Sequence, residues 1–201
     1  MSLRLRILER SQRLRARVAF RLIGLRSRTM PDDIARILLY RPAFFGRPYL
    51  RLLRTVMRGR SEWTVGEREL FAAFVSRRNA CTFCTGIHSH VSTLASGREL
   101  TAADLDNWSS AAFSEPVTAT LALLATLMGS QALTAEDVAS TRHAGVSDQA
   151  LSEALHVAFL FNVINRLADV FGAGYEGDAG RRRTAAALYR EGYQVPGFFL
   201  R

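Results

Sequence analysis

Glu69-Leu-Phe-Ala-Ala-Phe-Val-Ser-Arg-Arg-Asn-Ala-Cys81-Thr-Phe-Cys84-Thr-Gly-Ile-His88 is the run that decides both fold and chemistry in this chain. At 3.6 residues per turn, positions 81, 84, 88 and 91 form one stripe along a helix, so His88 lies one turn beyond Cys84 and its imidazole is expected to reach that sulfur. Cys81 falls near the helix N-terminus, where amide N–H groups and the helix dipole favour thiolate over thiol. Glu69 belongs to the preceding helix. A break at Asn79-Ala80 would fold that helix back antiparallel and carry the Glu69 carboxylate toward the cysteine stripe.

Outward from this run the sequence reads as helices separated by turn signals. Upstream, Thr64-Val-Gly-Glu67 is a capping box for a helix over 67–79 with apolar Leu70, Phe71, Phe74 and Val75. Gly97 stops the cysteine helix, which spans 81–96. Thr101 to Asp104 opens a short helix, Glu115-Pro116 one that ends at Gly129, and Thr134 to Asp137 one that closes at Gly145. Ser147-Asp148 starts a long helix to Phe171, and a further helix is expected over 179–191. Near the start, Pro31-Asp32-Asp33 opens a helix through Tyr40, and Pro42 and Pro48 break the chain before another that ends near Gly59. No run alternates in strand fashion, which predicts an all-α fold.

The charge is unevenly placed. Of 201 residues, 27 are basic and 18 acidic, a net charge of +9, and every basic residue is arginine. Residues 1–30 hold nine of those arginines and one acid, Glu9, so the arm carries +8 and the remainder about +1. Residues 3–28 have the spacing of an amphipathic helix, with Leu3, Ile7, Leu14, Val18, Leu22 and Leu25 on one face. The organisation expected is an Arg-rich arm over 1–30, a helical domain over 31–175 and a partly helical tail over 176–201. The arm is expected to pack on its own domain or on a neighbouring subunit. Contact of residues 1–28 with an anionic membrane surface comes second, and nucleic acid is not expected, because only Phe20 interleaves with the arginines.

Two cysteines three positions apart cannot clamp distant parts of a fold, which points to a reducing, cytoplasmic setting in which they do chemistry. A zinc site of both cysteines, His88 and Glu69 would crowd three ligands onto one helix stripe, so no metal and no bound cofactor are expected. The parts compose a peroxide reduction instead: a thiolate takes the distal oxygen of a peroxide, and the sulfenic acid condenses with the second thiol.

With its Glu, eleven residues, Cys-x-x-Cys, three residues and His, the run resembles the alkylhydroperoxidase D-like proteins of the carboxymuconolactone decarboxylase superfamily. The segments Glu67-Arg-Glu-Leu70, Arg78-Asn-Ala-Cys81 and Phe161-Asn162-Val-Ile-Asn165-Arg166-Leu-Ala-Asp169 look like its uncharacterized peroxidase-related branch, over roughly residues 31–175. The resemblance implies an all-helical, homo-oligomeric thiol peroxidase in which Cys84 is peroxidatic, Cys81 resolving, and His88 and Glu69 relay protons. An external dithiol protein of lipoyl or thioredoxin type would reset the pair. Well-known members carry a relay histidine just before the second cysteine, where this chain has Phe83, leaving Glu69 and His88 as the evident relay. The alternative is a dithiol–disulfide oxidoreductase or redox sensor with little peroxide turnover. The superfamily's decarboxylases lack the cysteine pair, so decarboxylation is not expected. His90, His143 and His156 are read as structural, and Asn162, Asn165 and Arg166 as polar groups that must find partners between helices.

Overall fold

A computed structural model describes residues 18, 33–41 and 46–194. The amphipathic arm expected over 3–28 and the apolar C-terminus from Val195 lie outside the described residues, apart from Val18. Among the described residues the chain is helical and without strands, as the turn signals predict: α1 (Asp33–Tyr40), α2 (Arg47–Arg58), α3 (Val65–Arg78), α4 (Thr82–Ser96), α5 (Ala102–Asp106), α6 (Glu115–Leu127), α7 (Ala135–His143), α8 (Asp148–Phe171) and α9 (Gly177–Glu191).

The ends follow local chemistry. Thr64 Oγ1 accepts from the Glu67 amide while Glu67 Oε2 accepts from the Thr64 amide, and the same reciprocal pair forms at Thr101/Asp104 and Thr134/Asp137. Gly97 and Gly172 end α4 and α8 in the left-handed region. Two boundaries differ from expectation. Pro48 stands inside the first turn of α2, not in a break before it, because a first-turn residue needs no N–H donor. Cys81 is the N-cap of α4, not its first helical residue.

Helix α3 is the centre. Leu70 to Val75 are all buried, so the helix is enclosed on every side and not only along an apolar stripe. It pairs with α4 as an antiparallel hairpin: Ser92 Oγ near the end of α4 donates to the Gly66 carbonyl at the start of α3 (2.9 Å). A side chain at Gly66 would meet Ser96 Cβ at 3.1 Å, so glycine lets the two helices close together there. Helix α8 crosses α3 and contributes Ala154, Val157, Ala158, Phe161 and Ile164 to the main core. Its length and composition would suit a membrane span, but half of its apolar window is buried inside the protein, as for the core helix of a globular fold.

A smaller core joins Cys81, Phe83, Cys84, Ile87 and Val91 of α4 to Ala168 of α8 and Ala185 of α9. The helix expected over 179–191, here α9, therefore covers the cysteine helix. Gly86 makes this closeness workable, since a Cβ there would stand 2.8 Å from Tyr175 Oη and 2.9 Å from Arg181 Cδ.

The turn from α3 to α4 carries the single positive-φ non-glycine residue among the described residues, Ala80 (φ 57). Cys81 N–H donates to the Ser76 carbonyl (2.9 Å), so this turn sets where the first sulfur sits. Ala80 is exposed, so substitution there tests backbone conformation with little change in packing. Ala80→Val should lower unfolding free energy by about 1–2 kcal/mol, whereas Ala80→Gly should not lower it, as measured by urea denaturation.

Candidate active site

Glu69 is fully buried in the middle of α3. Such a carboxylate is costly unless its oxygens are met by donors and positive charge. Here His88 Nδ1 lies 2.6 Å from Oε2, Arg58 Nη1 lies 2.7 Å from Oε1, and the Tyr193 hydroxyl donates to Oε1 at 3.1 Å. Burial pushes the Glu69 carboxyl up, but the charge and hydrogen bonds of His88 and then Arg58 outweigh it and hold the group below the usual carboxylate range. With Nδ1 turned to the carboxylate, the Nε2 edge is left for proton exchange. The ring packs edge-on against Phe161, centroids 4.6 Å apart.

Thus the structure unites Glu69 with His88 directly. Against expectation, the His88 imidazole makes no hydrogen bond to either sulfur among the described residues. Helical spacing places His88 and Cys84 on one stripe, but the side-chain rotamer answers to the buried charge on α3.

The two thiols are free and buried, 1% and 2% exposed, and lie against each other. Their surroundings are not purely aliphatic. The Cys81 thiol is drawn below its ordinary range, chiefly by the hydrogen bond from Cys84 and, against burial, by the Cys84 backbone amide; Asp169 opposes this. Cys84 is pushed well up by donating to Cys81, by burial and by the charge on Cys81, with Asn165 pulling the other way. Of the two, Cys81 at the positive end of α4 is the more acidic, and Cys84 holds its proton the more tightly. Phe83 stacks on Tyr175 (centroids 5.6 Å) over the pair.

The polar residues of α8 find the partners that their position demands. Asn79 Nδ2 donates to Asn165 Oδ1 (2.9 Å) and Asn162 Oδ1 (3.1 Å), Asn165 Nδ2 donates to Ser76 Oγ (3.0 Å), and Arg166 Nη2 donates to Asn79 Oδ1 (3.2 Å). This amide ladder runs from the surface to the neighbourhood of Cys84. Beside its outer end a cleft of about 440 Å³ opens, with Asn79, Asn162 and Arg166 on its polar side and Met128, Leu155 and Phe159 on its apolar side. Among the described residues no group of three His, Cys, Asp or Glu side chains could hold a metal ion.

Three site residues escape sequence reasoning. Arg58 is one of several arginines spaced along α2, Tyr193 is 124 positions from Glu69, and Tyr49 donates from α2 to the Leu160 carbonyl, its hydroxyl pKa pushed up by burial and then by nearby Cys84. No local pattern marks any of them.

No family model and no curated protein matches the chain. Among solved structures, it is similar to an uncharacterized peroxidase-related protein from Silicibacter sp. TM1040, with TM-score 0.70 and 19% identity over 85% of this chain and 90% of that one. It is also similar to a structure described as alkylhydroperoxidase AhpD core, an uncharacterized peroxidase-related protein from Ralstonia eutropha JMP134, with TM-score 0.69 and 18% identity over 83% and 89% of the two chains. The chain has the all-helical fold of the alkylhydroperoxidase D-like proteins, in keeping with the motif resemblance.

Because its folded pKa is depressed, Glu69 contributes stability that is complete above its unfolded value of about 4.3 and is lost as pH falls through the lower folded value. Glu69→Gln should therefore cost about 3 kcal/mol at pH 7, where it strands Arg58, and the difference from wild type should shrink below about pH 4. Denaturant unfolding across that pH range measures both.

Proposed function

We propose that this protein is a thiol-dependent peroxidase that reduces organic or hydrogen peroxide through a Cys81/Cys84 disulfide cycle. The observation that carries this is the adjacency of two buried thiols, the more acidic of them at a helix N-cap, beside a buried Glu69–His88 pair. The peroxidase-related names of the structural neighbours and the shared motif support it.

In the cycle, Cys84 passes its proton to the Cys81 thiolate and its sulfur attacks the distal peroxide oxygen. The O–O bond breaks, Cys84 becomes a sulfenic acid, and the alkoxide leaves with a proton relayed through His88, which the Glu69 carboxylate holds in place. Cys81 then attacks the Cys84 sulfur, forming the disulfide and releasing water. An external dithiol, on a lipoyl- or thioredoxin-type protein, returns both electrons by exchange. The apolar wall of the cleft beside Asn162 suits an organic peroxide. No bound cofactor enters the cycle, which belongs in a reducing, cytoplasmic setting. Exposed Val163 and Val170 on one side of α8 suit burial in a homo-oligomer, and nucleic acid has no part in the cycle.

One observation favours a second reading. With the more acidic thiol at Cys81 and Phe83 where a relay histidine would stand, the pair also has the form of a dithiol–disulfide oxidoreductase whose nucleophile is Cys81.

Variants separate the two. With dithiothreitol as reductant, wild type should consume cumene hydroperoxide, Cys84→Ser should not, and Cys81→Ser should accumulate a sulfenic acid that dimedone traps. Peroxide loss at the rate of free thiol in all three, with disulfide exchange abolished by Cys81→Ser, would favour the oxidoreductase and overturn the peroxidase.

A further inference from the structure

We propose that Arg58 and Tyr193 are positioning residues that clamp Glu69 and thereby fix His88 in the orientation the proton relay needs. The proposal rests on the peroxidase reading for its consequence, but its geometry stands apart from that reading. Arg58 and Tyr193 come from opposite ends of the described chain and meet on one carboxylate oxygen, Glu69 Oε1. That leaves Oε2 to His88 Nδ1 alone. The carboxylate is thus held at both ends, and neither oxygen is free to turn toward the sulfurs.

The clamp is built, not incidental. The Arg58 guanidinium lies 5.0 Å from the centre of the Tyr193 ring, so the two clamp residues also hold each other. The same Nη1 that binds Glu69 donates to the Met57 carbonyl (2.9 Å), while buried Nη2 has no hydrogen-bond partner among the described residues. A guanidinium that leaves a buried donor unmet is a poor choice for stability alone. Its charge against Glu69 accounts for its presence: a fully buried carboxylate needs positive charge beside it, and Arg58 adds to what the imidazole supplies.

Tyr193 reaches this position through Gly192, whose φ of 65° and ψ of −148° fall where side-chain-bearing residues are strained. A Cβ at Gly192 would also stand 3.3 Å from Arg58 Cγ. The end of α9 is therefore shaped to lay the tail on Arg58 and to insert one phenol beside the relay carboxylate. By the same geometry, Tyr193 completes the site from a distance in sequence.

The test uses the full chain and two readouts. A short Nδ1–H···Oε2 bond gives the His88 imidazole proton a far-downfield NMR resonance, which requires no peroxide. The second readout is the rate of thiol loss in a single turnover with cumene hydroperoxide. Arg58→Met should abolish the resonance and slow thiol loss at least about tenfold, with Arg58→Lys restoring most of both. Tyr193→Phe, which removes one hydroxyl and leaves the ring on Arg58, should broaden the resonance and slow thiol loss about threefold. If Arg58→Met does not fold, Tyr193→Phe and Gly192→Ala carry the test. An unchanged resonance and a rate within twofold of wild type in folded Arg58→Met, or in both of the other variants, would overturn the clamp. A wild-type protein inert to peroxide would instead remove the peroxidase reading, with the resonance still deciding the clamp.

Discussion

The geometry of the site depends on one buried charge. Glu69 sits on the most enclosed helix, where a carboxylate without partners would cost more than most side chains can repay. Meeting that charge ties α2, α4 and the residues after α9 to α3 through Arg58, His88 and Tyr193. The helices would pack without it, since the main core is large and apolar. What the carboxylate adds is a unique orientation for the imidazole, and it is the imidazole that the cysteine helix carries one turn past its second sulfur.

Around that fixed point the two sulfurs occupy unequal positions on one helix. Cys81 caps α4 and faces an amide donor; Cys84 lies within the first turn and donates to its neighbour. The hydrogen bond from Cys84 to Cys81 couples the two thiols within a site closed by Phe83, Tyr175 and α9. The amide ladder from Arg166 through Asn79 to Asn165 supplies the polar groups that keep this closed site from being an inert apolar pocket.

Helix ends were legible because capping is local: Thr64, Thr101 and Thr134 each stand three residues before an acid, and Gly97 and Gly172 follow the last turns. The meeting of Glu69 with His88 was half legible. Spacing and the Asn79-Ala80 break put the two on facing helices, yet the same spacing also suggested a bond from His88 to Cys84, and periodicity cannot choose between rotamers. Arg58 and Tyr193 were not legible, because nothing near them in sequence announces a partner on α3. Nor was the burial of both sulfurs, which follows from Ala185 and Tyr175 closing over α4 where Gly86 leaves room. Pro48 misled in the opposite sense: the same residue type that breaks a helix interior is at home in a first turn.

The most direct measurement is the intact mass of the reduced protein after one equivalent of cumene hydroperoxide. Conversion of Cys81 and Cys84 to a disulfide predicts the loss of two hydrogen atoms, reversed by dithiothreitol. Both thiols still titrating, with the mass unchanged or raised only by oxygen on methionine, would contradict it.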